Sequence, residues 1–385
     1  MKPISEVRVL DMGQITAGPM ASWLLDPLVS EVIKIERPDG GESGRPNPSA
    51  DSDEMSYAFQ SGNYNKKSLG VNIDSEQGQE IVKSLANEAD VLIENFRPQT
   101  LTELGLGPEE LRNENNSLIY CSISGFGHDS AETNQRAYDS TIQAMSGLMN
   151  LTGFKGDGPV KLGPSVMDVL PGFVSATAII TALYERKSTG EGQHIDISMQ
   201  DCAAWMLQSR LPFSNEPTNH GPSRSPEALA GVFETETDWV TISVQDEESC
   251  ERLKTNIQNT DPAIDWGNSD DAVENVVAEW AVQRPTQEVI KTCSQSGVKA
   301  SKVQSIEDVA ESRHLEQRGA FDKVNYGGES MRLPVSPYTS AKQSASETES
   351  REAPEVGEHT DQILSEILGY NRATLEQLRS ENVIN

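Results

Sequence analysis

Carboxylate and hydroxyl side chains end several short strand-like segments in the N-terminal part of the chain. Asp11, Glu36, Glu94 and Ser124 each close such a segment, and each is followed by turn residues. In open parallel sheets, ligands bind beyond the carboxyl ends of the strands. We therefore expect these side chains to lie at one edge of a sheet, beside a ligand.

A further carboxylate, Asp168 in the segment KLGPSVMD, directly precedes an apolar stretch with helical spacing at residues 169–187. The positive end of that helix dipole would hold the carboxylate ionised. Residue type and position alone favour a helix cap for Asp168, with its side chain accepting backbone N–H groups.

Other catalytic chemistries lack their characteristic residues. The chain has no CxxC pair, no HExxH and no GxSxG segment, which argues against a zinc site and against a Ser-His-Asp hydrolase. No metal ligands are predicted. The cysteines lie far apart and are expected to be buried free thiols; they are Cys121, Cys202, Cys250 and Cys293.

The chain is strongly acidic. Sixty acidic residues against 31 basic ones give a formal net charge of −29 and a pI near 4.5. Such a surface repels nucleic acids and anionic membranes. The acidic residues are spread along the chain, which favours adaptation to a salty cytoplasm, with a generic acidic protein as the alternative. We expect no membrane span and no secretory signal, and therefore a cytoplasmic protein.

Strand and helix patterns alternate over the first 200 residues. This alternation predicts an α/β fold with a parallel sheet covered by helices. Helices are predicted at 20–28, 76–89 and 169–187, and strands at 7–11, 31–36, 68–73, 91–94, 118–124 and 194–198.

The composition changes near residue 213, where turn-forming and polar residues accumulate. A hairpin pattern at 231–244 and three helical patterns after it predict a smaller α+β domain. A polar connection follows at 336–357, and a last amphipathic helix is predicted at 359–380.

Eight segments, in order, resemble the class III CoA-transferases. This family is typified by formyl-CoA transferase and includes carnitine CoA-transferases and α-methylacyl-CoA racemases. The resemblance runs almost from end to end. The segments are VRVLDMGQITAGP (7–19), EVIKIERPDGG (31–41), NKKSLGVNID (65–74), ENFRP (94–98), SGFG (124–127), RAYDSTIQAMSGLMNLTG (136–153), TGEGQHIDISMQD (189–201), and RLPVSP followed by GEHTDQIL.

The resemblance implies a large Rossmann-like parallel-sheet domain at residues 1–205, joined by the C-terminal residues 331–385. A linker at 206–219 would lead to the small α+β domain at 220–330. The family further implies a homodimer of two interlocked, ring-like chains.

In the resembled family, Asp168 falls at the position of the catalytic nucleophile. Its carboxylate would attack an acyl-CoA thioester to give a mixed anhydride, and the released CoA thiolate would then form an aspartyl-CoA thioester. With the resemblance, this role is favoured over the helix cap. Coenzyme A would be a substrate, with no permanently bound cofactor.

The family's CoA contacts map onto four segments and one arginine of this chain. Basic groups and strand-end amides would receive the phosphates of CoA, with Arg37 and Arg136 as the principal candidates. The matching residues are Thr16, Ala17, Arg37, Val71, Asn72, Ile73, Asp74, Asn95, Phe96, Arg97, Arg136, Ala137, Tyr138 and Asp139.

Three departures from the family pattern stand out. Glu103 replaces a CoA-binding arginine of formyl-CoA transferase, and Val29 replaces a usual glycine. The glycine-rich loop that covers the transferase active site is not recognisable, although residues 219–231 hold its approximate position.

Two alternatives to a transferase remain: a racemase or epimerase of the same fold, and a non-catalytic CoA-binding protein. Family racemases carry a histidine base directly before an aspartate, where this chain has Tyr138 before Asp139. Tyrosine, with an ordinary pKa near about 10, is a poor base at neutral pH. Tyr138 therefore favours a transferase, and the presence of Asp168 argues against a non-catalytic protein.

Transferases of the resembled family often use dicarboxylates, with succinyl-CoA as a frequent donor. Together with the acidic composition that favours a salty cytoplasm, this suggests succinyl-CoA as donor and mesaconate or another dicarboxylate as acceptor. Oxalate, formate and carnitine remain open as alternatives.

Overall fold

The computed structural model describes residues 2–46, 56–153, 158–213, 229–266, 270–326, 329–335, 337 and 352–385. The chain forms two compact units, one of residues 1–150, 158–218 and 319–385, and one of residues 151–157 and 219–318. The predicted linker, lid and polar connection all extend outside the described residues.

Strands and helices alternate through the first part of the larger unit, as the sequence pattern predicts. Strand β1 begins three residues earlier than expected, and the first helix also begins three residues earlier. The elements are β1 (Ile4–Asp11), α1 (Ala17–Leu25), β2 (Val29–Glu36), α2 (Tyr57–Asn63), β3 (Lys67–Gly70), α3 (Glu76–Asn87), β4 (Val91–Glu94), α4 (Thr100–Glu103), α5 (Pro108–Glu114), β5 (Ile119–Ser124), α6 (Asp139–Met145), α7 (Leu148–Leu151), α8 (Val166–Thr189), β6 (His194–Ser198) and α9 (Met199–Met206).

Six strands form one parallel sheet in the order β3-β2-β1-β4-β5-β6. The direction in which the chain builds the sheet reverses between β1 and β4. In such doubly wound sheets, a crevice for ligands opens at this switch point, beyond the carboxyl ends of the strands. The prediction of an α/β fold with a Rossmann-like parallel sheet is confirmed.

Alternate residues of each strand enter hydrophobic cores on opposite faces of the sheet. On β1, Leu10 packs into a core that includes Ile81 of α3 and Leu364 from the C-terminal part of the chain. Its neighbour Val9 packs on the other face, in a core that includes Leu25 of α1. Each fully buried side chain of this size contributes about 1.5–3 kcal/mol, so the two cores hold the strand ends in place.

Helix α8 is long and apolar, with a mean hydropathy of 1.8 over an 18-residue window. By length and composition it could cross a membrane, which the sequence analysis did not anticipate. However, Ile179 and Leu183 are buried against the sheet core, and core helices of this kind pass the same test. A Cβ on Gly172 would lie 2.9 Å from the carbonyl oxygen of Ala17, so glycine allows α1 to approach α8 closely.

The smaller unit contains an antiparallel sheet in the order β7-β8-β9, and the predicted hairpin is its β7-β8 pair. Helices α10–α12 contribute side chains to its core, where Phe233, Ile242 and Trp280 are buried. The elements are β7 (Ala230–Glu234), β8 (Trp239–Ser243), α10 (Glu247–Thr260), α11 (Asp270–Ala281), α12 (Thr286–Gln295), β9 (Lys299–Lys302), α13 (Ile306–Ala310) and α14 (Arg313–Gln317).

The C-terminal part of the chain packs in the larger unit. It forms the antiparallel pair β10 (Phe321–Tyr326) and β11 (Glu329–Pro334), then α15 (Thr360–Leu368) and α16 (Arg372–Ser380). The prediction of one helix at 359–380 is wrong, because Gly369 adopts φ +70° and ends α15.

All four cysteines are free thiols. The prediction that they are buried is confirmed for Cys121, Cys202 and Cys293, whereas Cys250 is only half-buried.

Candidate active site

A cavity of about 550 Å³ opens at the carboxyl ends of β1, β4 and β5. This is the switch point of the strand order, where the fold predicts a ligand site. The N-termini of α1 and α8 border the cavity. Its walls come mainly from residues 14–17, 95–98, 123–125 and 135–140, with Lys161, Ser165, Asp168 and Met199.

Asp168 lies in the first turn of α8, because that helix begins at Val166 and Ser165 is its N-cap. The helix therefore starts three residues before the predicted start at 169. The backbone N–H of Asp168 donates to the carbonyl oxygen of Ser165 at 3.0 Å. Among the described residues, no hydrogen-bond donor contacts the Asp168 carboxylate. The helix-cap interpretation is thus wrong, and the carboxylate is free to react in the cavity.

The environment of Asp168 raises its pKa from the ordinary 3.8 to about 6. Burial is the main cause, the charge of Asp139 adds to it, and Lys161 opposes both. The helix dipole, expected to hold this carboxylate ionised, does not outweigh burial, and the pKa lies above its ordinary value. With this pKa the group is still mostly ionised at neutral pH, and it is more basic than an exposed aspartate.

Asp139 joins the first turns of α6 and α8. Its Oδ1 accepts the backbone N–H of Met167 at 3.0 Å, and Gln143 donates to both of its oxygens at 3.0 and 2.9 Å. Lys161 Nζ lies 3.2 Å from its Oδ2. Because Met167 precedes Asp168, these contacts fix the turn that carries the free carboxylate.

The loop after β1 meets the loop after β4 through a reciprocal pair of hydrogen bonds. The Asn95 side-chain oxygen accepts the N–H of Gln14 at 2.7 Å, and the Asn95 amide donates to the Gln14 carbonyl oxygen at 2.9 Å. The backbones of Gly13 and Gly18 also touch, since a Cβ on Gly13 would lie 2.7 Å from Gly18 Cα. Both loops therefore form one wall of the cavity.

None of the three strand-end carboxylates lines the cavity, contrary to expectation. Asp11 is fully buried and pairs with Lys66 at 2.7 Å. Glu36 is buried and pairs with Arg45 at 2.5 Å. A buried carboxylate requires such partners, so both side chains turn back into the sheet edge and support its loops.

Glu94 is also buried, and its Oε2 accepts the N–H of Phe96 at 2.7 Å. Burial raises the pKa of Glu94 to about 7. It shapes the cavity wall without lining it. Of the strand-end residues, Ser124 alone lines the cavity.

Nine of the residues predicted to contact CoA line the same cavity as Asp168. They are Thr16, Ala17, Asn95, Phe96, Arg97, Arg136, Ala137, Tyr138 and Asp139.

The other five lie outside the cavity, at the ends of β2 and β3. The Arg37 guanidinium donates to the carbonyl oxygen of Gly41. Val71 is buried and bridges Ile384, and Asn72 donates its N–H to the carbonyl oxygen of Val383 at 2.8 Å. Ile73 packs against the sheet core, and Asp74 is exposed. Their contact with CoA stays a prediction.

Gln14, Ile15 and Lys161 also line the cavity, although the sequence did not predict them as site residues. Gln14 and Ile15 lie within the quoted segment VRVLDMGQITAGP, and Lys161 opens the segment KLGPSVMD. Their place beside the predicted residues was the available signal. Along a helix or loop, however, sequence neighbours of a site residue often point elsewhere.

The cavity is lined by positively charged side chains, which favour an anionic ligand. Arg97, Arg136 and Lys161 line it, and neither arginine has a carboxylate partner among the described residues. Side chains of His, Cys, Asp and Glu nowhere gather in threes that would hold a metal ion in the part of the chain that the structure describes.

A doubly wound α/β sheet with an unpaired carboxylate and cations at its switch point forms a site that suits an anionic ligand. Residues 4–360 match the model of CoA-transferase family III, and the chain belongs to that family. It is therefore an enzyme of the class III CoA-transferase type, with coenzyme A as a substrate.

Relatives of this family cover nearly the whole chain. The succinyl-CoA:glutarate CoA-transferase of Mus musculus is 31% identical, over 100% of this chain and 91% of its own length. The succinyl-CoA:mesaconate CoA-transferase of Haloarcula marismortui is 30% identical, over 95% of this chain and 96% of its own. A CAIB/BAIF family protein from Brucella suis superposes with a TM-score of 0.83 at 27% identity, covering 95% of this chain and 99% of that one.

Proposed function

We propose that this enzyme moves CoA from succinyl-CoA to a dicarboxylate acceptor, with Asp168 as the nucleophile. The observation that carries the proposal is the Asp168 carboxylate, which lines the cavity with no hydrogen-bond partner among the described residues. The names of the mouse and Haloarcula relatives support succinyl-CoA as donor and a dicarboxylate as acceptor.

In the proposed reaction, an oxygen of Asp168 attacks the thioester carbon of succinyl-CoA and expels CoA thiolate, which leaves an aspartyl-succinyl anhydride. The thiolate then attacks the aspartyl carbon, releases succinate and forms an aspartyl-CoA thioester. The acceptor carboxylate attacks that thioester and expels CoA thiolate, which leaves an aspartyl-acceptor anhydride. The thiolate then attacks the acceptor acyl carbon, forms the new acyl-CoA and releases the Asp168 carboxylate. Each step exchanges one acyl bond for another, so the sequence needs no outside oxidant or reductant.

The residues around Asp168 suit these steps. The first N–H groups of α1, at Thr16 and Ala17, lack intrahelical acceptors and form a positive end beside the cavity. Such donors stabilise negative charge on an acyl oxygen in the transition state. Tyr138 is 59% exposed and lines the cavity, where its hydroxyl can donate to the same kind of oxygen.

Lys161 supports a dicarboxylate acceptor in particular. The Lys161 side chain is 43% exposed in the cavity. Its positive charge lowers the pKa of Asp168, so it lies within electrostatic reach of that carboxylate. An acid bound with one carboxylate at Asp168 would place a second one near Lys161, while the arginines remain for the phosphates of CoA.

The proposed assembly is a homodimer, and its support is an uncovered apolar stripe on α8. Val169, Phe173, Ile180 and Tyr184 are exposed and share one side of the helix. Exposed apolar patches of this kind mark association surfaces. The charge of −29 supports a cytoplasmic enzyme that works at high salt, where self-repulsion is screened.

An acyl-transfer assay read by mass spectrometry tests the proposal. Purified enzyme in about 2–3 M KCl, where charge repulsion is screened, receives succinyl-CoA with glutarate, mesaconate, citramalate, malate, oxalate, formate or carnitine. A new acyl-CoA formed by the wild type and not by Asp168→Ala supports the proposal, and the best acceptor identifies the substrate. Proton exchange at the α-carbon of a branched acyl-CoA, with no transfer to any acid, would replace the transferase by a racemase.

A further inference from the structure

Ile15 has a backbone conformation that its side chain disfavours. Its φ is +64°, in the left-handed region, where a β-branched residue is a genuine outlier. The residue nevertheless lines the cavity, with 51% of its surface exposed. Strained residues of this kind persist only where surrounding contacts hold them, and they concentrate at functional sites.

The contact that holds Ile15 comes from Glu42, on the loop after β2. Glu42 Oε2 accepts the N–H of Ile15 at 2.8 Å, and the same oxygen accepts the N–H of Gly44 at 3.3 Å. The Glu42 side chain is almost entirely buried, and its Oε1 lies 3.8 Å from Lys34 Nζ. Lys34 in turn donates to the carbonyl oxygen of Gly13 at 2.9 Å. The Lys34–Glu42 pair therefore bonds the backbone on both sides of Gln14, at Gly13 and at Ile15.

The turn at Ile15 decides where the next residues point. Thr16 and Ala17 follow directly, form the N-terminus of α1 and line the same cavity as Asp168. Asn95 fixes Gln14 but makes no contact with Ile15 in the described hydrogen bonds. If residue 15 relaxed to a negative φ, the first N–H groups of α1 would swing away from the reacting acyl oxygen.

We infer that Glu42 is a positioning residue for CoA transfer, an inference that rests on the proposed function. By accepting the Ile15 N–H, it holds residue 15 at positive φ and so aims the N-terminus of α1 at the acyl group on Asp168. Glu42 touches no reacting atom, and its effect passes through the backbone of Ile15.

A double-substitution cycle with Ile15→Gly tests this role, because glycine adopts positive φ without strain and needs no clamp. Glu42→Ala is expected to lower kcat/KM about tenfold in the Ile15 chain, mostly through kcat, and at most about threefold in the Ile15→Gly chain. Glu42→Gln keeps an acceptor oxygen and is expected to retain most of the activity. If the alanine variant does not fold, Glu42→Met replaces it in the cycle, because methionine keeps most of the volume but has no strong acceptor for the Ile15 N–H.

The thermal midpoint of unfolding, measured for the same four proteins, separates positioning from plain stability. If Glu42 only stabilised its own loop or balanced the charge of Lys34, Glu42→Ala would lower activity and stability equally in the Ile15 chain and in the Ile15→Gly chain. An equal loss of kcat/KM in the two chains would therefore overturn the inference. Asp168→Ala, run beside the cycle, abolishes transfer in both backgrounds if the proposed function holds. If the wild type transfers CoA to no acid, the proposed function is wrong whatever the cycle shows. The effect of Glu42→Ala in the two chains is then measured on the dissociation constant of CoA.

Discussion

Replacing Asp168 with asparagine is expected to abolish transfer and also to stabilise the folded protein at neutral pH. The pKa of Asp168 rises on folding from the ordinary 3.8 to about 6, chiefly through burial. The folded state therefore resists ionisation of this group, whereas the unfolded state does not. Asparagine has nearly the same shape and carries no charge, so it removes the penalty together with the nucleophile.

The pH dependence follows from proton linkage. Below pH 3.8 the carboxyl group is protonated in both states, and wild type and variant differ little. As the pH rises from 3.8 to about 6, the unfolded state releases its proton first and the wild type loses stability. At 1.36 kcal/mol per pH unit the full loss would be about 3 kcal/mol. Because the side chain is only partly buried, screening reduces it to about 1–2 kcal/mol.

Urea unfolding at constant high salt, at about pH 5 and about pH 8, measures the free energy of unfolding. The matched control is Asp201→Asn. Asp201 occupies the same position in the first turn of α9 as Asp168 does in α8, but it is exposed. We expect a gain for Asp168→Asn that is larger at the higher pH, and none for the control. A loss of stability at pH 8, or an equal gain at both pH values, would refute the argument from burial.

Three further results are expected. Lys161→Met removes the charge that lowers the pKa of Asp168, so the acid limb of the pH profile of kcat/KM should move to higher pH. The same variant loses the proposed contact with the second carboxylate of the acceptor, so KM should rise about tenfold for dicarboxylates but little for monocarboxylates. Asp139→Asn keeps an oxygen for the Met167 N–H but removes the charge that raises the same pKa; the acid limb should move to lower pH, and an unchanged limb would count against the assigned cause. Phe173→Asp on the apolar stripe should shift the mass measured by light scattering towards a monomer, whereas Thr181→Asp, at an exposed position of α8 about a quarter-turn away from the stripe, should change it much less; a monomeric wild type would contradict the proposed dimer.

Much of the sheet could be predicted from local sequence patterns. The strands β1, β2 and β4 are short, largely apolar runs that are followed by turn residues, and helix α3 before β4 is amphipathic. Hydrophobic periodicity indicates which residues of a strand or helix are buried. It can therefore be recognised without knowing which other elements pack against them. The order of the motifs along the chain indicated the CoA-transferase family, and that prediction is confirmed by the match over residues 4–360.

Helix ends were harder to predict than helices. The apolar pattern of α8 begins at Val169, yet the helix starts at Val166, because Asp139 from a distant segment accepts the N–H of Met167. At the other end of the chain, an unbroken amphipathic pattern concealed the break at Gly369. Glycine tolerates several conformations, and packing selects one of them.

The sequence by itself determined the alternation of strands and helices, the acidic surface, the family and the presence of an aspartate at position 168. Only the tertiary structure decided which carboxylates are free. Asp11, Glu36 and Asp168 are the same kind of group near the ends of secondary-structure elements, but the first two are buried against Lys66 and Arg45. Asp168 has no such partner and faces a cavity. The availability of a carboxylate depends on charges and donors that other segments bring to it, and those distances exist only in the folded chain.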